Sequence, residues 1–202
     1  MDLFSQKIKR SELKEGDHIY TWRQQIYSHH GQYFRNLHWR KQAYSFCELR
    51  KRWNSSFFSC FRELKCQCYE QDKKKNCPVS YCGSEKVAGS GVRMSCIDCF
   101  IKKGSLYRFK YEVSREFLVA KLRGGTCTTA TSDPPEEVKH RANYLYENGY
   151  VEYNLKNNNC EDFALYCKTG LWSKDKSNQG RSSQANMVHP TNEEDKIKNP
   201  LQ

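Results

Sequence analysis

Residues 157–172, NNNCEDFALYCKTGLW, predict a short helix with a cysteine in its first turn. Asn158 and Glu161 have the spacing of a capping box, so we expect the helix to begin there and to end at Gly170. Cys160 would then lie where free backbone N–H groups and the helix dipole favour a thiolate. Position alone favours a buried structural cysteine over a nucleophile, so other residues must carry the functional interpretation.

One side of this helix is suited to packing against a core. Three residues follow Cys160 at i+3, i+4 and i+7 and therefore share its side of the helix: Phe163, Ala164 and Cys167. We expect this side to be buried, which would hold the thiol rigidly.

A longer helix is predicted immediately upstream. Asp133 can cap it, Pro134 suits its first turn, Glu136 completes a capping box, and Gly149 ends it. Its expected buried stripe is formed by Val138, Ala142 and Leu145.

Several segments have the alternation of strands in an antiparallel sheet with one wet face. Residues 17–22 and 27–34 predict a hairpin, and residues 105–113 (SLYRFKYEV) give the clearest single strand. Residues 117–123 are expected to pair with that strand, and residues 150–155 to form a short one.

The composition predicts one domain with additions that face water. The chain has 202 residues, of which 13% are aromatic and 28% charged, and its mean hydropathy is −0.94. No segment approaches the ~20 apolar residues of a membrane span, and residues 1–15 lack the apolar region of a signal peptide. We therefore expect a cytoplasmic protein whose eleven cysteines stay reduced.

The basic charge is concentrated in one irregular segment. Of the net charge of +11, much comes from residues 35–75, which hold eleven Lys and Arg against four Asp and Glu. From residue 35 to about 81 no strand or helix period is evident, so we expect loop or disorder there. The segment also lacks regularly spaced aromatic residues, so no nucleic-acid partner is expected.

The residues around Cys160 resemble a known family. Residues 159–163 (NCEDF) resemble the Asn-Cys-Glu-x-Phe signature of the lecithin:retinol acyltransferase (LRAT) family. Residues 16–20 (GDHIY) and 27–33 (YSHHGQY) resemble its histidine box, and residues 95–100 (SCIDCF) and 124–130 (GGTCTTA) look most like its plant branch. The resemblance covers about residues 8–34 and 77–173, in the family's order.

This resemblance implies an α+β, circularly permuted papain-like fold, with an antiparallel sheet and the nucleophile at a helix N-terminus. It implies a domain over residues 8–173, interrupted at about 35–76, and leaves the polar residues 174–202 as a disordered tail. Family members move acyl groups from glycerophospholipids to alcohols, amines or water through a cysteine thioester. The implied partner is an acyl lipid or a small acyl substrate, any membrane contact is expected to be peripheral, and no cofactor is implied.

Matched residue by residue, Cys160 corresponds to the nucleophile and His29 to the base that takes the thiol proton. His30 should point to the opposite face of its strand. His18 and His140 are interpreted as structural or surface residues.

The chain departs from the family pattern downstream of His29. The family places a second histidine there, in a stretch like GGSKVIHF, whereas this chain has Lys41 near that position. With suitable synonymous codons, residues 38–46 (HWRKQAYSF) read one base later give TGGSKLIHF. We hypothesise a shifted reading frame over about residues 35–76, which the transcript sequence would test. The alternative function is a catalytically impaired pseudoenzyme that serves as a binding or interaction module.

Four of the remaining cysteines are candidate zinc ligands, but the sequence does not decide whether they bind zinc. Cys77, Cys82, Cys96 and Cys99 could supply four thiolates, with residues 66–68 (CQC) as a further source. Only Cys96-x-x-Cys99 has the usual spacing of a zinc-binding pair. The sequence by itself therefore assigns no metal ligand.

Overall fold

The computed structural model describes residues 5–23, 27–35, 41–46, 77–120, 125–151 and 158–171. The described strands are β1 (Gln6–Lys7), β2 (Asp17–Arg23), β3 (Tyr27–Arg35), β4 (Lys41–Phe46), β5 (Val92–Cys96) and β6 (Tyr107–Arg108). The described helices are α1 (Ile97–Ile101), α2 (Arg115–Val119), α3 (Pro135–Asn148) and α4 (Cys160–Thr169). The strands form one antiparallel sheet in the order β1-β6-β2-β3-β4-β5.

The centre of the sheet is the β2–β3 hairpin, as the alternation of residues 17–34 predicts. Its register pairs Ile19 with Gly31 and Thr21 with His29. Side chains alternate between the two faces along each strand. The two faces of β3 therefore contact different helices.

One face, which we call the α4 face, packs against α3 and α4. Phe34 of β3 lies there in a cluster with Val138 of α3 and Phe163 of α4, all fully buried. The other face, the α1 face, packs against α1, where Tyr33 shares a cluster with Phe100. The sheet is thus covered on both sides, and β3 is shielded from water over most of its length.

The two predicted helices are confirmed, with small shifts at their starts. Helix α3 buries Val138, Ala142 and Leu145 as expected. Its N-cap position is Pro134, and Asp133 instead pairs with the Arg141 guanidinium at 2.5 Å. The attraction of a charged partner about two helical turns along thus replaces the expected cap.

Two strand predictions for residues 105–123 are wrong in part. Residues 117–123 were expected to form a strand, but residues 115–119 form α2, because the Ser114 hydroxyl caps the helix by accepting from the Phe117 amide. Within 105–113 only Tyr107 and Arg108 form strand. Phe109 and Tyr111 still pack with Tyr107 on the cluster around Tyr20, so the predicted apolar side is confirmed.

Part of the segment expected to be irregular is a strand. Residues 41–46 form β4, which pairs with β3 on one side and β5 on the other. Tyr44 packs between Phe34 and Tyr146, with ring centroids 5.8 and 5.3 Å apart, so tertiary contacts supply what periodicity lacks. Residues 47–76 and the predicted tail, 174–202, lie outside the described residues, as does most of the strand expected at 150–155.

The architecture is α+β with an antiparallel sheet. Among the described helices, none has the length and apolar character that a membrane crossing requires.

Candidate active site

Cys160 is the first residue of α4, and its position is set by a closed capping box. The Asn159 side chain accepts hydrogen bonds from the amides of Glu161 and Asp162, at 2.8 and 3.3 Å. The Asp162 carboxylate in turn accepts from the Asn159 amide at 2.9 Å. The box lies one residue later than the predicted pair, and it fixes the first turn that carries the thiol.

The body of α4 is anchored to the sheet along its length. The Gln32 amide group on β3 donates to the Ala164 carbonyl at 2.6 Å, and the Lys168 ammonium donates to the Gly16 carbonyl at 2.9 Å. The helix ends where Gly170 adopts a left-handed conformation with φ of 67°, as its position in the sequence predicts. These contacts leave Cys160 little freedom to move relative to β3.

The thiol lies against the backbone of β3. The Cys160 Sγ is 3.8 Å from the carbonyl oxygen of Ser28, and the Cys160 residue is only 6% exposed. That carbonyl belongs to the peptide bond that joins Ser28 to His29. Helix α4 therefore carries its sulfur to the peptide that precedes the predicted base.

The ring of His29 is turned toward the α1 face. It lies 5.0 Å from the Phe100 ring, centroid to centroid, and the residue is 2% exposed. Cys160 is thus beside the backbone of His29, while the imidazole packs against α1. Both predicted residues are buried in this conformation.

His30 points to the opposite face, as strand alternation predicts, and it belongs to a buried chain of hydrogen bonds. The Tyr111 hydroxyl lies 2.8 Å from His18 Nδ1, and His18 Nε2 lies 2.8 Å from His30 Nδ1. His30 Nε2 is 2.7 Å from the Ser28 hydroxyl. This series of hydrogen bonds therefore runs from Tyr111 through His18 and His30 to Ser28, the residue whose carbonyl contacts Cys160.

Burial keeps the imidazoles of His18 and His30 neutral. It lowers the pKa of His30 to about 3, with a further contribution from the nearby His29. It also lowers the pKa of His18 well below its usual value, assisted by His30 and Lys168. A neutral imidazole offers one donor and one acceptor, which is what each position in the chain requires.

Tyr111 limits the possible directions of donation along these hydrogen bonds. Burial, the nearby Cys167 and Glu161 raise the pKa of Tyr111 well above its usual value, so the hydroxyl keeps its proton. If Tyr111 donates that proton to His18 Nδ1, then His18 Nε2–H donates to His30 Nδ1 and His30 Nε2–H donates to the Ser28 hydroxyl; if Tyr111 accepts, every direction is reversed.

Sequence reasoning identified His18 and His30 but did not connect them. In the β2–β3 register, His18 lies opposite Gln32 and Tyr20 lies opposite His30. The two histidines are therefore diagonal neighbours on one face, a spacing at which long side chains meet. The hairpin pattern could have revealed this pair, whereas Tyr111 comes from a distant segment that the sequence does not align with the hairpin.

Comparison with known proteins assigns the family. The family model described as lecithin retinol acyltransferase matches residues 11–173, which is most of the chain. The chain belongs to the LRAT family. It is similar to Protein LEAD-SENSITIVE 1 of Arabidopsis thaliana, with 40% identity over 189 residues that span 92% of this chain and 68% of that protein. No solved structure matches this LRAT-family chain.

Under the shifted-frame hypothesis, the second histidine of the LRAT pattern falls on strand β4. In the peptide TGGSKLIHF the histidine is the eighth residue, which corresponds to Ser45 rather than Lys41. Ser45 is 2% exposed and alternates with Tyr44, so it shares the α1 face with Ala43. Extending the β3–β4 register by one residue sets Ser45 opposite Gly31, one position along that face from His29.

A second group of reactive side chains lies away from Cys160. The thiols of Cys77, Cys82, Cys96 and Cys99 lie within 4.8 Å of one another and could hold a metal ion. They are the four cysteines that the sequence analysis named as candidate zinc ligands.

Proposed function

We propose that this LRAT-family chain is a cysteine-dependent acyltransferase or phospholipase that acts on acyl lipids, with Cys160 as nucleophile and His29 as base. The observation that carries the proposal is the position of the Cys160 sulfur, 3.8 Å from the carbonyl of Ser28 and so beside the peptide of His29. Family membership supports the acyl-transfer class of reaction. The finer circularly permuted, papain-like description of the fold is part of the same proposal.

In the first half of the reaction, an imidazole nitrogen of His29 takes the thiol proton of Cys160. The thiolate sulfur attacks the carbonyl carbon of the lipid ester and forms the C–S bond of a thioester. The ester C–O bond breaks, and the departing lysolipid oxygen takes the proton from the imidazolium. In the second half, an alcohol, amine or water gives its proton to the same imidazole and attacks the thioester carbonyl carbon, forming a C–O or C–N bond. The C–S bond breaks, and the departing thiolate of Cys160 takes the proton back from the imidazolium.

The start of α4 provides a suitable place for the charged sulfur. Helix N-termini carry unpaired N–H groups and partial positive charge, both of which stabilise a thiolate. The Asn159 cap already satisfies the amides of Glu161 and Asp162 and holds the turn in shape. The thiol therefore attacks from a position that the helix fixes in advance.

Catalysis on this chain requires an imidazole nitrogen of His29 to reach the thiol of Cys160. The His29 ring packs against Phe100, and both residues of the proposed pair are buried. A lipid substrate implies peripheral contact with a membrane surface, and we propose that the protein is cytoplasmic.

A specific observation favours the second candidate function, a pseudoenzyme that serves as a binding or interaction module. Ser45 stands where the LRAT pattern expects a histidine, on the face of the sheet to which His29 points. A base without a partner that orients its ring loses much of its catalytic effect. This candidate predicts an intact fold without acyl transfer to Cys160.

The two candidates are separated by trapping the thioester. The purified protein is incubated with vesicles of a short-chain phosphatidylcholine, quenched in acid and measured by intact mass spectrometry. We expect one acyl adduct that hydroxylamine removes and that is absent from Cys160→Ala. Cys167→Ala, which removes a buried thiol from the same helix, should retain the adduct.

A folded protein with no adduct, and with no release of fatty acid from the vesicles, would support the module instead. Circular dichroism of each variant establishes folding, so that a loss of adduct is not confused with a loss of structure. A cell-fractionation experiment tests the location, because the proposal expects the protein in the cytosolic fraction, with a share on membranes.

A further inference from the structure

The cluster formed by Cys77, Cys82, Cys96 and Cys99 lies where β5 ends and α1 begins. Cys96 ends β5 and caps α1, and Cys99 lies within that helix. Cys77 and Cys82 belong to a turn that runs alongside β5. Two chain segments thus contribute two sulfurs each, at a place that the acyl-transfer proposal does not use.

The sulfur positions fit a tetrahedral ion. With a Zn–S bond of about 2.3 Å, the sulfurs of a regular tetrahedron lie about 3.8 Å apart. The Cys96 Sγ lies 3.7 Å from the Cys77 Sγ and 3.7 Å from the Cys82 Sγ. All four sulfurs fall within 4.8 Å of one another, so the remaining edges need only small adjustments.

The same distances exclude disulfides in this arrangement. All four cysteines are free thiols, and a separation of 3.7 Å is well beyond the S–S bond of about 2.05 Å. Four thiols packed this closely would repel one another as thiolates unless a cation neutralised them. The cluster is therefore arranged for a ligand rather than for pairwise oxidation.

Backbone amides point at two of the sulfurs. The Cys96 amide donates to the Cys82 Sγ at 3.3 Å, and the Cys99 amide donates to the Cys96 Sγ at 3.4 Å. Such donors stabilise negative charge on sulfur and orient ligands from outside the coordination sphere. Both sulfurs therefore already have the backbone donors that a metal-bound thiolate would use.

The backbone between the two pairs is also fixed. The Gly83 amide donates to the Met94 carbonyl at 2.7 Å, and the Met94 amide donates to the Ser84 carbonyl at 3.1 Å. This short bridge holds the turn that carries Cys77 and Cys82 beside β5. The sulfur cluster is therefore assembled by main-chain pairing and does not depend on side-chain packing alone.

We propose that Cys77, Cys82, Cys96 and Cys99 bind one structural Zn²⁺ ion. Four soft sulfur ligands in a tetrahedron select zinc over the oxygen-preferring Mg²⁺ and Ca²⁺. With all four positions filled by protein, the ion has no open site for a reacting water, so its role is to hold the fold.

The structural consequence concerns α1. The ion would tie the start of α1 to the 77–82 turn, and Phe100, the residue after Cys99, packs on the ring of His29. Zinc would thus fix the helix that forms one wall beside His29. This site does not depend on whether the chain transfers acyl groups, so its test is separate from the thioester experiment.

The test measures metal in the full-length protein purified under reducing conditions without chelator. Inductively coupled plasma mass spectrometry should find about one zinc per chain, as one four-coordinate site requires. Cys96→Ser and Cys99→Ser should each lose at least about tenfold in bound zinc, since each removes one of four ligands. Cys160→Ala removes a buried cysteine outside the cluster and should retain the metal.

Two further measurements keep the result interpretable if a ligand variant fails to fold. Replacement of zinc by Co²⁺ in the unmodified chain should give the intense sulfur-to-cobalt charge-transfer band of a tetrahedral thiolate site. A strong zinc chelator should lower the melting temperature of the unmodified chain, and added Zn²⁺ should restore it, because structural zinc contributes to folding.

Three results would overturn the proposal. The first is a folded protein with four reduced cluster thiols and no zinc after incubation with the ion. The second is stoichiometric iron in place of zinc. The third is loss of zinc in a Cys66→Ser, Cys68→Ser double variant together with its retention in Cys77→Ser and Cys82→Ser.

Discussion

The sulfur of Cys160 touches the carbonyl oxygen of Ser28 at 3.8 Å, so that the start of α4 meets β3 at the peptide between Ser28 and His29. This contact gives the thiol two neighbouring imidazoles on opposite faces of one strand. His29 faces α1, and His30 faces the side on which α4 packs. Which of them serves the sulfur is therefore a question that substitution can answer.

The first prediction compares the two histidines. His29→Gln should lower the rate of thioester formation by about 10²- to 10⁴-fold, the usual contribution of a general base. His30→Gln should leave a much larger fraction of the rate, because His30 is neutral and its two ring nitrogens are already hydrogen-bonded to His18 and to the Ser28 hydroxyl. Single-turnover acylation of Cys160, with thermal melting as a folding check, measures both.

The reverse pattern would assign the base to His30. If His30→Gln abolished acylation in a folded protein while His29→Gln reacted normally, the motif match would have identified the wrong imidazole.

The second prediction restores the histidine that the LRAT pattern expects. Ser45→His should place an imidazole on the α1 face near His29 and raise the acylation rate at least about tenfold, since an oriented base is far more effective than a free one. Ser95→His is the matched control, because Ser95 pairs with Ala43 one strand further away. The larger side chain should lower the melting temperature modestly.

A folded Ser45→His protein whose rate equals that of the unmodified chain would argue against the shifted-frame hypothesis for the activity. Sequencing the transcript over codons 30–80 tests the same hypothesis directly.

The third prediction concerns the cap that holds the thiol. Asn159→Ala should lower the free energy of unfolding by about 1 kcal/mol, because it removes the acceptor for two amides at the start of α4. It should also slow alkylation of Cys160 by iodoacetamide at neutral pH, as the first turn loosens. Asn148→Ala, at the exposed end of α3, should change neither the urea midpoint nor the alkylation rate appreciably.

The fourth prediction is a loss of stability in mild acid. The folded pKa of His30 is about 3, against 6.5 for a free imidazole, so between these values the unfolded chain binds the extra proton. Stability is therefore greatest above about pH 6.5 and falls as the pH drops, by up to ~1.4 kcal/mol per pH unit for each such histidine. The direction for His18 is the same, because burial also lowers its pKa.

Urea unfolding at several pH values between 4 and 7.5 would measure this dependence, with roughly one unit between points. His30→Gln should flatten the slope, whereas His140→Gln, on the exposed side of α3, should preserve it. An unchanged slope in His30→Gln would show that other groups cause the acid sensitivity.

Local signals were sufficient for the helices and the central hairpin. The caps at Asn159 and Pro134 and the stops at Gly149 and Gly170 depend on neighbours within one or two turns. The alternation of side chains between the two faces of β2 and β3 is also local, because the two strands pair across one short connection. These elements were predicted to within one or two residues because their causes are local.

Residues 41–46 and 115–119 show where local signals fail. Strand β4 has no clear period, yet it is held between β3 and β5 by ladder hydrogen bonds and by the packing of Tyr44. Helix α2 has apolar residues typical of a strand, and its form is decided by the Ser114 cap and by the absence of a partner strand among the described residues. Neither cause is visible in residue type alone.

The sequence by itself determined the family, the helix that carries Cys160 and the opposite facing of His29 and His30, because motif spacing and strand alternation are properties of neighbouring residues. Only the tertiary structure decided that Cys160 meets the backbone at Ser28, that Tyr111 joins the two buried histidines, and that four cysteines from two segments converge. Those relationships join residues 14 to 132 positions apart, and only packing and sheet pairing bring such residues together.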